Sequence, residues 1–94
     1  MIRIGLLGAS RVSRYALIEP AATIEGVAVS AVAAREPARA ATFAEENGIP
    51  QVEKDYAALV TSDSVDLVYN GLPPSGHARW TIAALEAGKP VLCE

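Results

Sequence analysis

The sequence predicts an α/β domain built as a doubly wound parallel sheet with strands in the order 3-2-1-4-5. Three observations predict it. Five short apolar, β-branched runs alternate with four segments of helical periodicity, a pattern that implies right-handed crossovers between parallel strands. The chain is 94 residues and 9.8 kDa, room for one domain and not two. Its apolar residues make up 51% of the sequence, yet only 5% are aromatic and 18 are alanine, a composition that suits helices on a sheet filled by Val, Ile, Leu and Ala.

Ile2 to Leu7 is almost continuously apolar, as in a strand buried on both faces, and Gly8-Ala9-Ser10 closes it. Ser10 is placed to cap a helix carrying Val12, Tyr15, Ala16 and Ile18, which Pro20 ends or kinks. Gly26 resets the chain, and Val27 to Ala33 forms the second buried strand. Glu36-Pro37 fits the first turn of a helix that runs through Ala40, Ala41, Phe43 and Ala44 to Gly48. Ile49 to Val52 is a short strand that Pro50 confines to an edge, and Asp55 caps a brief helix through Tyr56, Leu59 and Val60. Ser62 to Ser64 is a loop, Val65 to Tyr69 the fourth strand, and Leu72 to Gly76 a further loop. His77 to Ala87 is a helix packed through Trp80, Ile82 and Leu85 and stopped by Gly88, and Pro90 to Cys93 is the last strand. The result is one Rossmann-like domain, residues 1–94, whose ligand is expected outside the carboxyl ends of the strands where their order reverses.

Composition narrows the function classes. The formal charge is -3, so there is no basic surplus for a nucleic-acid footprint. The single cysteine supports neither an intramolecular disulfide nor a cysteine-rich metal site, and Cys93 reads as a small buried hydrophobe at a strand end. Arg11 and Arg14 interrupt the apolar start before an export signal forms, and no apolar run is long enough for a membrane helix. A cytoplasmic location is the simplest expectation.

The strand ends carry the chemistry. After the first strand, Gly8-x-Ser10-x-x-Ser13 has the spacing of the dinucleotide fingerprint G-x-G-x-x-G with serines at its second and third glycines. Gly8 permits the tight turn, Ser10 is small enough for close approach of a pyrophosphate, and Ser13 still allows close packing of helix on strand. The same turn serves any doubly wound sheet, with or without a phosphate. After the second strand, where NAD-binding folds place an acid for the ribose 2′-OH, the chain reads Ala33-Ala34-Arg35. A guanidinium there pairs with a 2′-phosphate and points to NADP, although Glu36 follows directly and an exposed arginine needs no ligand. After the fourth strand, Asn70-Gly71-Leu72-Pro73-Pro74-Ser75-Gly76-His77 is a stiffened loop that brings His77 to a helix start, where it bonds a ligand or the loop itself.

Together these segments resemble the N-terminal domain of the glucose-fructose oxidoreductase, inositol dehydrogenase and MocA (Gfo/Idh/MocA) family. The likeness is carried by Ile4 to Arg11, Ala33 to Ala40, Phe43 to Pro50, Asp55 to Leu59, Leu72-Pro73 with His77, and Ala84 to Glu94. It spans essentially the whole chain. The resemblance implies a nicotinamide cofactor, NADP or alternatively NAD. Its contacts fall on Gly8, Ser10, Arg11 and Val12 at the pyrophosphate turn and on Arg35 near the adenosine ribose. Leu72, Pro73 and His77 border the nicotinamide side, with Glu94 near its ribose. Pro74 stands where the family's Leu-Pro-Asn-x-x-His loop has asparagine, which removes any polar contact from that side chain.

The family motif Cys-Glu-Lys-Pro is present only as Cys93-Glu94, so no catalytic residue is expected among these positions; the lysine would follow Glu94. The resemblance therefore implies the cofactor portion of a longer oxidoreductase that moves hydride to or from a sugar, polyol or diol, this portion being inactive alone. A stand-alone, non-catalytic dinucleotide-binding or regulatory module is the alternative. With a missing domain leaving the apolar last strand exposed, the isolated chain is expected to self-associate or to be marginally stable.

Overall fold

Apolar runs of strand length lie side by side at the centre of the molecule because each has a helix to follow it back over the sheet. In the computed structural model, which describes residues 1–94, β1 (Ile2–Leu7) pairs in parallel with β2 (Val27–Ala33) on one side and β4 (Leu67–Asn70) on the other. β3 (Gln51–Val52) joins β2 and β5 (Val91–Cys93) joins β4, giving the order β3-β2-β1-β4-β5. That is the predicted order. The helical segments are α1 (Arg11–Ser13), a π-helical stretch (Arg14–Ile18), α2 (Glu19–Ala22), α3 (Pro37–Asn47), α4 (Tyr56–Thr61) and α5 (Pro74–Glu86). None of them is long and apolar enough to cross a membrane.

Alternation along each strand sends neighbours to opposite faces. Leu6, Val32 and Tyr69 pack with Leu17, Phe43 and Ala44 on one face, while Leu7, Ala31, Ala33 and Val68 pack with Leu59, Val60 and Ala84 on the other. Gly5 lets α4 settle on β1: a Cβ there would stand 2.8 Å from Val65 Cγ1 and 2.9 Å from Leu59 Cδ2. At the amino end of the sheet, the Arg3 guanidinium donates to both Asp66 carboxylate oxygens at 3.0 Å, and the Arg3 N–H donates to Oδ2 at 2.8 Å. This pair fastens the start of β1 to the approach of β4.

Several local expectations change. Pro20 does not end the first helix, which continues to Ala22. The wider π turn ahead of it has the Glu19 N–H bonded to Arg14 O, so the ring falls where the regular i→i−4 ladder is already broken. The buried face of this helix is Ser13, Leu17 and Ala21, whereas Val12 and Tyr15 are exposed. β4 begins at Leu67, because Ser62 O accepts the Val65 N–H in a turn. α5 begins at Pro74, inside the expected loop, since proline in a first helical turn forfeits no intrahelical bond. Ile82 and Leu85 face outward. Cys93 is exposed, not buried, because β5 is an edge strand with no strand beyond it; its Sγ lies 3.2 Å from Thr81 Oγ1.

Candidate functional site

β1 and β4 are adjacent, yet their following helices cover opposite faces of the sheet, so the chain diverges at their carboxyl ends and leaves a crevice. Gly8 and Gly71 stand at its floor, with the Gly8 N–H on Ala33 O at 2.8 Å and the Gly71 N–H on Leu7 O at 3.0 Å. Gly8 has φ +97°, and a Cβ on it would lie 3.3 Å from Gly71 O. Both features demand glycine. Ser10 caps the first helix, its Oγ accepting the Ser13 N–H at 3.2 Å.

Two clefts open beside this turn. One of ≈ 330 Å³ is lined by Gly8 to Ser10, Ala34 to Glu36, Arg39, Tyr56 and Gly71 to Pro73. It unites five of the expected residues: Gly8, Ser10, Arg35, and the Leu72-Pro73 pair from the far side of the switch point. The second, ≈ 580 Å³, lies between the first helix and α3; Arg11, Arg14 and Arg39 project onto it beside Glu46. The clefts share Ala9 and Arg39. Four of the chain's eight Lys and Arg residues thus line the two clefts against Glu36 and Glu46, with Arg14 also paired to Glu19 at 3.6 Å, in a molecule of net charge -3, so the lining charge is locally positive.

The remaining expected residues lie elsewhere. Val12 is 57% exposed on the outer side of the first helix. His77 sits in the first turns of α5, outside both clefts, and its Nε2 is buried without a hydrogen-bond partner. Glu94 follows β5 and accepts from Ser13 Oγ at 3.4 Å and Tyr69 Oη at 3.3 Å. Leu72 and Pro73 share a cleft with Arg35 and not with His77 or Glu94. Leu72 also packs toward His77: a Cβ on the neighbouring Gly76 would lie 3.0 Å from Leu72 Cδ1, and Asn70 bonds both the Leu72 N–H and His77 O.

Three residues that the sequence does not single out help to form the site. Arg39, in the first turn of α3, donates to Ala9 O at 3.3 Å and ties α3 to the turn. Tyr56 lines the smaller cleft; burial raises its phenol above the ordinary value while the charges of Arg35 and Arg39 pull the other way. Its ring meets Trp80 edge-on at 5.4 Å. Asn70 is fully buried, donating to His77 O at 3.2 Å and Thr81 Oγ1 at 3.1 Å and accepting the Leu72 N–H at 3.1 Å. A polar residue ending an apolar strand was its only mark.

Residues 2–94 match the oxidoreductase family with an NAD-binding Rossmann fold known as GFO_IDH_MocA. The chain belongs to this family. Among Gfo/Idh/MocA members it is 41% identical over 90 residues to D-xylose 1-dehydrogenase (NADP(+)) 2 of Haloferax volcanii, covering 96% of this chain and 27% of that one. It is 44% identical over 95 residues to dTDP-3,4-didehydro-2,6-dideoxy-alpha-D-glucose 3-reductase of Actinomadura kijaniata, covering 99% and 28% respectively. Its fold superposes on KijD10, a 3-ketoreductase of Actinomadura kijaniata solved with NADP and TDP-benzene, with a TM-score of 0.89 and 36% identity over 98% of this chain and 28% of that one. The chain thus spans little more than a quarter of the length of the Gfo/Idh/MocA relatives it matches.

Proposed function

We propose that this chain binds the nicotinamide dinucleotide, NADP(H) in preference to NAD(H), of an oxidoreductase acting on a sugar, polyol or diol. The observation that carries the reading is the smaller cleft, which joins the Gly8–Ser10 turn to Arg35, with Ala34 directly after β2 where an acid would bind a ribose 2′-OH and Glu36 beyond Arg35 on the lining. The pyrophosphate rests on the turn, against the unbonded first N–H groups of the helix that includes Arg11 and Val12. Arg35 pairs with the 2′-phosphate through its planar guanidinium. Tyr56 gives the adenosine side an apolar wall, and Leu72, Pro73 and His77 border the nicotinamide side, with Glu94 near its ribose.

The residues fit such a group: the crevice is floored by glycines, edged by guanidiniums and placed at the switch point of the sheet. When bound, the dinucleotide supplies the hydride chemistry at its nicotinamide ring. The chain's own work is to bind and orient it. Substrate turnover is assigned to this domain joined to the further length its relatives have, and a cytoplasmic enzyme is the matching setting. Trp80, the single tryptophan, touches the cleft through Tyr56. Titration with NADP+ should therefore give a saturable change in its fluorescence, and an unchanged spectrum at millimolar ligand would count against the reading.

A further inference from the structure

The Glu94 carboxylate is gripped from two sides by buried hydroxyls. Ser13 Oγ from the first helix and Tyr69 Oη from β4 both donate to Oε1, at 3.4 and 3.3 Å. Ser13 is completely buried and Tyr69 is 8% exposed. The line continues to the turn, since Ser10 Oγ lies 2.9 Å from Ser13 Oγ. A serine hydroxyl has one proton. With the Ser13 proton given to Glu94, the proton between the two serines comes from Ser10, so both hydroxyls point the same way, from the turn toward the carboxylate. Tyr69 remains a donor, because burial first and then the Glu94 charge push its phenol above the ordinary value.

We propose that Ser13 is a positioning residue, which together with Tyr69 holds the Glu94 carboxylate for the nicotinamide-side ribose. This inference rests on the dinucleotide reading above. Glycine at the third fingerprint position would lack this hydroxyl and so offer Glu94 no such bond.

The test uses two probes that differ at the nicotinamide end: NADPH, and adenosine 2′,5′-bisphosphate, which has no nicotinamide ribose. Calorimetric titrations compare the wild type with Ser13→Ala, Tyr69→Phe, Glu94→Ala and the Ser13→Ala/Glu94→Ala double variant. Ser13→Ala should weaken NADPH roughly three- to tenfold, the range for one hydrogen bond, and leave the bisphosphate within about twofold. Tyr69→Phe, remote from the turn, should give the same pattern, and the double variant should bind NADPH no more weakly than Glu94→Ala. Equal losses for both probes, or additive losses in the double variant, would show Ser13 to be part of the turn alone and overturn the proposal. A wild type that binds neither probe would instead overturn the dinucleotide reading, and the positioning role with it.

Discussion

Gly71 lies so close to Ser13 that a Cβ at position 71 would stand 2.6 Å from the Ser13 Oγ. The third fingerprint glycine, which normally lets the helix approach the sheet, is replaced by serine, and the close approach survives because the facing residue is glycine. Gly71→Ala overpacks this contact and should cost about 1–3 kcal/mol in urea denaturation. The cost should be smaller in a Ser13→Ala background, where the Oγ is gone and the next contact is Leu7 O at 3.2 Å. Equal costs in the two backgrounds would contradict the contact.

Asn70 organises the end of β4 by joining the Leu72 N–H to His77 O and Thr81 Oγ1. Asn70→Leu keeps the branched shape but removes all three bonds and leaves the buried Leu72 N–H unpaired. Denaturation should show a loss of about 1–3 kcal/mol. A loss under about 0.5 kcal/mol, the range of an ordinary surface change, would show that the hub is not structural.

The Arg3 guanidinium holds the Asp66 carboxyl well below its usual range, at about 2. Because the folded-state value is depressed, the pair's contribution is complete above the ordinary aspartate value near 4 and is lost as pH falls through about 2. Thermal unfolding should find wild type more stable than Asp66→Asn at neutral pH, with the difference shrinking across that window. The pair is exposed, so the difference at neutral pH is small. A gap that stays constant down to pH 2 would contradict the assignment.

β5 is an edge strand of three residues whose Leu92 is 52% exposed, and Ile82 and Leu85 on α5 are 55% and 57% exposed. An unpaired edge beside exposed apolar side chains favours association. Sedimentation of the chain should show oligomers that grow with concentration, and Leu92→Lys should reduce them. A single monomeric species for the wild type at all concentrations would contradict this.

The residues differ in how openly they declared these roles. β1, β2 and α3 could be read directly, since Ile2 to Leu7 and Val27 to Ala33 are continuous apolar runs and Gly48, at φ +68°, ends α3 as expected. The turn at Gly8 and the cap at Ser10 were equally legible, because local geometry decides both. What depended on packing was not. Val12 and Tyr15 recur at helical spacing, but the face turned to the sheet is the one carrying Ser13, Leu17 and Ala21. Tyr56 and Arg39 reach the site only through contacts between elements distant in sequence, and Asn70 acts through bonds into the helix that follows its own strand. Cys93 resembled a core residue because burial of a last strand depends on what lies outside it.

The central claim is that the Gly8–Ser10 turn and Arg35 form a dinucleotide cleft with a place for a 2′-phosphate. Its most direct test is calorimetric titration of wild type and Arg35→Ala with NADPH and NADH side by side. Wild type should bind NADPH more tightly than NADH, and Arg35→Ala should lose roughly ten- to a hundredfold toward NADPH, as for a bond between charged groups, with little change toward NADH. Equal losses for the two cofactors would remove Arg35 from the 2′-phosphate, and no binding of either by the folded wild type would contradict the cleft itself.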